Sequence, residues 1–543
     1  MTCHPRSSIR NKRELLRAAI DLGAQSIKGR SDTENALIDW ALLIPRTSKN
    51  ALASLERSIT QLDDPLGKIW IDLRAPEQRR KVGSYYTPQE IVKPMISWLL
   101  KHGAERIVDA ACGSGRFAAQ AALLNPLIKL IALDNDPVAT LITRATLNVL
   151  GAKRACVFHG DFLTARIRKF SGRTGFVSNP PYVRFQELSK RHKALGQVMA
   201  RELDHEMSGL SGLHAYFFLG VARGAQEGDI GCFLTSAEWT ENAYGKVVRD
   251  LLLNGLGGES VRIVDPKVFA FDGVKTTAAI ACFRVGAEAQ GMHIGQVTTL
   301  GGAVDLDCVE SMQFYDRGFL LSQSDWKQGR RSRAGAQMQA TPTIGDLFRV
   351  SRGTATGANK FFVMTSGEAR LAGLVKYALP VLSSARELPR ERHELRGSDV
   401  RKVLISLPKT LDRKSVPDVD RYLRGGEQPD ERSKAICDRT LARTRNPWWS
   451  IEPPSPPIVV SYMARKPPGF YLNRDDLPIL NIAHGLYPKR KFTAAQLKEI
   501  VQELNANSQQ FLAWGRTYHG NLKKFEPSEI QALPFPNSLA KYI

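Results

Sequence analysis

The sequence predicts an α/β protein: a doubly wound sheet in the first part of the chain, followed by a separate, strongly basic α+β region. Three observations carry this. Between about residues 105 and 286, short β-type runs alternate with helix-period stretches, the pattern of a mostly parallel sheet covered on both faces. The first of those runs leads into a glycine turn at 113–115, directly ahead of a helical stretch. The formal charge of +22 on 543 residues is also uneven, because residues 311–543 hold 37 Lys and Arg against 22 Asp and Glu, a net of +15. A polar, basic stretch around 325–345 has little apolar periodicity and reads as an exposed connection. The expected organisation is a helical segment over 1–80, the sheet domain over 81–310, a linker over 311–340 and a second domain over 341–543.

Composition removes several classes. With 43% hydrophobic and 8% aromatic residues the chain can bury ordinary cores, and its length suits two or three domains of about 100–200 residues each. The seven cysteines, at 3, 112, 156, 232, 282, 308 and 437, contain no Cys-x-x-Cys pair, so neither a disulfide framework nor a zinc site is expected. The N-terminus lacks the apolar core of a signal peptide and no run of about 18 apolar residues occurs, which makes the cytoplasm the default and a membrane partner unexpected. The excess positive charge attracts polyanions, of which nucleic acid is the commonest, although an anionic membrane surface or ribosomal RNA would be attracted by the same field and charge alone does not choose among them.

The predicted strands are 107–112, 129–134, 155–160, 174–179, 230–236, 260–265 and 277–285, with helices over 116–124, 136–150, 214–227 and 241–254. In such sheets ligands bind beyond the carboxyl ends of the strands. After the first strand, Asp109-Ala110-Ala111-Cys112-Gly113-Ser114-Gly115 supplies a turn tight enough for backbone to approach a nucleotide-like cofactor. With Ala118 as a third position the same turn also suits a dinucleotide enzyme. The second strand ends at Asp134-Asn135, where an acidic residue can accept from ribose hydroxyls. The third ends at Asp161-Phe162, a carboxylate for an adenine amine and a ring to cover the base.

The fourth strand ends in Asn179-Pro180-Pro181-Tyr182. Paired prolines fix φ and leave carbonyls pointing outward from a rigid loop. An exocyclic amine conjugated to a ring is a poor nucleophile. The Asn179 amide oxygen and the Pro180 carbonyl can each accept one of its N–H groups and favour a pyramidal nitrogen, while Tyr182 offers a stacking face. The dinucleotide enzyme has no use for this loop.

Taken in order, Gly83-Ser84-Tyr85-Tyr86-Thr87-Pro88, the Asp109 to Gly115 turn, Asp134, Asp161 and Asn179 to Tyr182, followed by a long basic C-terminal region, resemble the N6-adenine DNA methyltransferases of the gamma arrangement. Within these the chain is most similar to TaqI-methylase-like and Eco57I-methylase-like type II modification enzymes. The likeness is strong over about 80–285 and looser through Thr354 to Phe361 and Asn521 to Pro527. Where the family usually has Pro in the first turn, this chain has Ala110 and Ala111.

The resemblance implies a Rossmann-like class I S-adenosylmethionine-dependent catalytic domain and a C-terminal target-recognition domain. Tyr86, Thr87 and Pro88 would hold the methionine end of S-adenosyl-L-methionine, with Asp109, Ala111, Cys112, Gly113 and Gly115. Asp134 and Asn135 would take the ribose, and Asp161 and Phe162 the adenine. Asn179 and Pro180 would bind the target amine, and Tyr182 with Phe269, or Phe271 in its place, would stack on a base rotated out of double-stranded DNA. No metal is needed. Residues 1–80 carry no nuclease-like acidic and Lys cluster, so the expected protein is a monomeric modification enzyme whose cognate restriction endonuclease is a separate gene product. Asn-Pro-Pro-Tyr also serves enzymes that methylate glutamine in release factors or, in variant form, ribosomal RNA, and a DNA-specificity subunit with a degenerate core is a further alternative. The first two usually lack the Tyr-Tyr-Thr-Pro lead-in and so large a C-terminal domain.

Overall fold

The computed structural model describes residues 9–74, 87–183, 185–264, 277–297, 305–310, 312–323, 325–326, 342–429, 434–464, 466–513, 516–518 and 522–542. Two compact units emerge, Met1–Ser332 and Arg333–Ile543. Among the described residues no helix is long and apolar enough to cross a membrane.

The first unit is built on a nine-stranded sheet in the order β3-β2-β1-β4-β5-β7-β6-β8-β9. Its strands are β1 (Arg106–Asp109), β2 (Lys129–Asp134), β3 (Ala155–His159), β4 (Thr174–Ser178), β5 (Ile230–Ser236), β6 (Gly258–Val264), β7 (Ala278–Arg284), β8 (Gly291–Val297) and β9 (Gln313–Asp316). From β3 to β5 every pairing is parallel, whereas β7 runs antiparallel between β5 and β6. The central strands are buried along their whole length, as β1, β4 and β5 must be when helices cover both faces. All seven expected strands form, two with the expected bounds and the others with ends shifted by up to three residues, the largest shift at β1, which ends at Asp109 where residue 112 was expected. β8 and β9 were not expected; β9 is a four-residue edge strand with a mostly exposed face, too short for periodicity to register.

Strand order reverses between β1 and β4, and this switch point is where a doubly wound sheet opens a crevice. Helices enter directly from the strand ends: Arg116–Leu124 starts after Gly115 in the left-handed region at φ +88, and Pro137–Val149 starts with Pro at its first position and the Asp136 carboxylate accepting from Val138 N–H at 3.0 Å.

Of residues 1–80, expected as a segment of their own, the described ones, 9–74, fall in the same compact unit as the sheet. Helices Lys12–Asp21, Asp32–Leu42, Lys49–Thr60 and Pro65–Asp72 bury Leu15, Leu16, Ile38, Ile59 and Leu66 against Val138, Leu141, Ile142 and Ala145 of the Pro137–Val149 helix. A fully buried ion pair pins this layer: Arg144 Nε donates to Glu34 Oε1 at 2.9 Å, and its Nη1 donates to the carbonyls of Ile27 and Lys28 at 2.8 and 2.9 Å. Burial works to raise the Glu34 carboxyl, but bonds from Arg144, Ser31 and Thr140 hold it below its ordinary value. Because Arg144→Met would strand a buried carboxylate, it is expected to cost the first unit about 3–5 kcal/mol in urea unfolding, and adding Glu34→Leu should restore much of that.

The second unit holds a five-stranded sheet in the spatial order Phe348–Arg352, Ala483–Pro488, Ile458–Ser461, Phe470–Asn473, Glu394–Leu395, together with two three-stranded sheets. The helix Ala494–Ala506 packs Ile500, Val501 and Leu504 into the core of the larger one. Trp448 and Trp449 meet edge to face with centroids 5.8 Å apart and pack beside Phe361 and Phe362. Arg445 is internal too, donating to the carbonyls of Ala355 and Thr356 at 2.7 and 3.0 Å and so fixing the Thr354 to Phe361 loop.

Candidate active site

The site residues gather at the carboxyl ends of β1 to β4. Gly113 (φ +53) and Gly115 (φ +88) turn the chain from β1 into its helix. Gly115 also has a packing reason, since a Cβ there would lie 2.8 Å from Thr143 Cγ2, whereas a Cβ on Gly113 would meet nothing within 4 Å. Open space above a left-handed glycine is a cradle that a ligand can enter and a side chain would fill. The Gly113 N–H donates to Asp134 Oδ2 at 2.8 Å and the Asp136 N–H to Asp134 Oδ1 at 2.9 Å, so the β2 carboxylate is aimed by two amides. Burial raises its pKa all the same.

Asp109, at the end of β1, is buried, and among the described residues no donor reaches either carboxylate oxygen in full hydrogen-bond geometry. Burial, then the charge of Asp134, pushes its carboxyl up to about 8, against a smaller pull from the Ala118 and Ala111 amides. An acid so deeply buried beside a glycine-lined turn offers an acceptor to a polar or cationic group of a bound molecule. The Cys112 thiol, pushed up mainly by burial, is a weak packing group against Thr143 Oγ1 at 3.6 Å rather than a nucleophile.

At the end of β3, Asp161 Oδ1 accepts from Leu163 N–H at 3.0 Å and Oδ2 lies 3.0 Å from His192 Nε2. Phe162 is buried with its ring stacked on Phe217, centroids 5.4 Å apart, which makes it a fixed wall. Asn135 is exposed, its carbonyl 3.3 Å from His159 Nε2. Beyond β4, Asn179 Nδ2 donates to Thr87 Oγ1 at 2.9 Å, and among the described residues no group hydrogen-bonds to its buried Oδ1. Pro180 is buried beside it and Tyr182 is half-buried. The structure thus brings Thr87 to Asn179, and Gly113 to Asp134. Tyr86, Phe269 and Phe271 lie outside the described residues.

Sequence reasoning missed a second set of residues behind the turn. Ser114 Oγ donates to Asp64 Oδ2 at 2.6 Å, and Arg116 Nε lies 3.6 Å from the same oxygen. Trp70 Nε1 donates to Asp136 Oδ2 at 3.0 Å, and Arg74 is ion-paired with that carboxylate. Asp64-Pro65 is a readable helix-start signal, but nothing local connects it to a turn some 50 residues away.

A strand-end carboxylate pair, an open glycine turn and a rigid acceptor loop can hold a nucleoside-bearing cofactor beside an amine. Comparison with known proteins gives the class, that of the DNA methyltransferases. The N-6 DNA Methylase family model matches residues 64–255 and that for the C-terminal domain of the type II methyltransferase M.Eco57I matches residues 320–542. The type II methyltransferase M.XamI of Xanthomonas campestris pv. amaranthicola is 37% identical over 503 residues, covering 90% of each chain. M.AccI of Acinetobacter calcoaceticus, also a type II methyltransferase, is 22% identical over 84% of this chain and 85% of its own. Among solved structures, the type IIL restriction-modification enzyme MmeI, determined in complex with DNA, shares the fold at a TM-score of 0.55 and 12% identity, over 87% of this chain and 69% of its own. The chain belongs to the type II DNA methyltransferases and methylates adenine at N6 in a restriction-modification system.

Proposed function

We propose that the methyl donor is S-adenosylmethionine and that the acceptor is the N6 amine of an adenine rotated out of duplex DNA into the crevice at β1 and β4. The buried, unsatisfied Oδ1 of Asn179 carries this reading. Its partner nitrogen is committed to Thr87, so the amide presents an acceptor where the amine would arrive, beside the Pro180 carbonyl. S-adenosylmethionine, when bound, supplies an electrophilic methyl carbon. Tyr86, Thr87, Pro88, Asp109 and the Ala111, Cys112, Gly113, Gly115 turn would hold its methionine end, Asp134 and Asn135 its ribose, and Asp161 and Phe162 its adenine. Tyr182 and Phe269 would replace the stacking lost by the target base.

The residues of the chain then do three things. They hold the amine nitrogen about 3 Å from its electrophile, which contributes most of the acceleration. They draw its N–H groups toward Asn179 and Pro180, freeing the lone pair. The rigid Pro-Pro loop keeps both acceptors in place at no cost in reorganisation during reaction. The basic second unit, with the larger share of net charge, supports a DNA-facing role for target recognition, with affinity that falls as salt rises. The helices of 9–74 brace the sheet, consistent with cleavage by a separately encoded endonuclease and with action as a monomer.

Tritiated S-adenosylmethionine offered in parallel to duplex DNA, transfer RNA and protein tests the reading. Label is expected in DNA alone, co-eluting after nuclease digestion with N6-methyldeoxyadenosine. Label in RNA or in protein glutamine would replace it with one of the other Asn-Pro-Pro-Tyr chemistries.

A further inference from the structure

The Asn179 amide is useful in one orientation only. With Oδ1 outward it accepts from the target amine, and rotated by half a turn it would present N–H groups to N–H groups. In the structure Nδ2 donates to Thr87 Oγ1, which holds the amide in the first of these orientations, and Thr87 precedes the helix Gln89–Lys101 with a Pro at its helix-start position and no side-chain cap of its own. Its backbone is held from the other side: Arg116 Nη1 donates to the Thr87 carbonyl in a close hydrogen bond. Arg116 is itself held, its Nε 3.6 Å from Asp64 Oδ2 and both side chains nearly buried. Asp64 is placed by its backbone, at a left-handed φ of +51, and by accepting from Gly67 N–H at 3.0 Å and Ser114 Oγ–H at 2.6 Å. Four elements are therefore joined in one chain of contacts: the Pro65–Asp72 helix start, the glycine turn, the Thr87 segment and the Asn179 loop.

We propose that Arg116 is a positioning residue for Asn179, acting through Thr87 and anchored by Asp64. The proposal rests on Asn179 being the amine acceptor. A guanidinium suits the task because its planar fork can serve a carbonyl and a carboxylate at a fixed angle. Burial pushes the Asp64 carboxyl up to about 6, against the pull of Ser114 and Arg116, so near neutral pH it is still the anion that Arg116 needs. The arrangement also gives the N-terminal helices a part in the chemistry, since Asp64 is the end of that layer which reaches the turn.

The test is single-turnover methyl transfer at saturating duplex DNA and tritiated S-adenosylmethionine, read beside the calorimetric Kd for S-adenosylhomocysteine and a melting curve. Arg116→Gln is expected to slow transfer by about 10–100-fold while Kd moves less than about threefold, because a misplaced acceptor costs rate more than binding. Arg116→Lys, which keeps a donor for the Thr87 carbonyl, should recover most of the rate. In a Thr87→Val background Arg116→Gln should cost less than about twofold more, the non-additivity of residues acting in series. An unchanged saturated rate, a loss confined to Kd, or full additivity with Thr87→Val overturns the proposal. Should Arg116→Gln fail to fold, Asp64→Asn is read by the same criteria, with an expected loss of about 3–10-fold for the weakened anchor. Asn179→Ala runs alongside: if it alone transfers at full rate, the acceptor assignment fails, whereas its loss of transfer with Arg116→Gln unaffected removes only the positioning role.

Discussion

Asn179→Ala is expected to slow methyl transfer by about 10²–10³-fold at saturating DNA and cofactor, the size of effect seen when one preorganised polar group at a reacting centre is removed. Stability should barely move. Among the described residues Oδ1 closes no hydrogen bond, and the bond lost is that from Nδ2 to Thr87, worth about 1 kcal/mol. Rate and stability therefore separate. Initial rates of tritium incorporation into DNA, set against a urea unfolding curve, measure both; a variant that still methylates at near wild-type rate removes Asn179 from the chemistry, and one that loses several kcal/mol of stability makes the residue structural.

Asp109→Asn has the second large effect, and its two consequences have opposite signs. The carboxyl is pushed up to about 8 in the folded protein, by burial first and by Asp134 second, whereas in an unfolded chain it titrates near about 3.9. Below about pH 4 both states hold the proton and the residue costs nothing. Between about pH 4 and 8 the unfolded chain ionises while the folded one does not, so stability falls as pH rises, by up to about 1.4 kcal/mol per unit. The neutral, isosteric Asn escapes this, so the variant should melt higher than the parent at pH 8 and equal it near pH 4. Cofactor binding should move the other way, weakened about 10–100-fold by loss of a charged hydrogen-bonding partner. Cationic groups of S-adenosylmethionine favour the ionised acid, so parental affinity should rise with pH toward 8, and this dependence should be absent in the variant. Melting curves at pH 4, 6 and 8 with calorimetric titrations at pH 6 and 8 decide it; a variant no more stable than the parent at pH 8 would show that Asp109 is already ionised in the fold.

Much of this protein was legible from residues alone because its chemistry sits where local rules are strongest. Buried parallel strands write themselves as continuous apolar runs, as in Lys129–Asp134 and Ile230–Ser236, and a ligand site at strand ends places Asp109, Asp134, Asp161 and Asn179 next to those runs. β8 and the edge strand β9 lay beyond that reach. Nor could neighbours along the chain show what steadies Phe162, whose ring the fold stacks on Phe217, 55 residues away along the chain and 5.4 Å away in space.

The sequence by itself determined the sheet, the strand-end residues and the Asn-Pro-Pro-Tyr loop, because each depends on neighbours within a few residues. Only the tertiary structure decided how those residues are held. Asp64 reaches Ser114, Arg144 closes on Glu34, and Arg116 meets Thr87, contacts spanning about 29 to 110 positions along the chain. Charges this deeply buried must find partners wherever the fold brings them, and no local pattern records which element that will be.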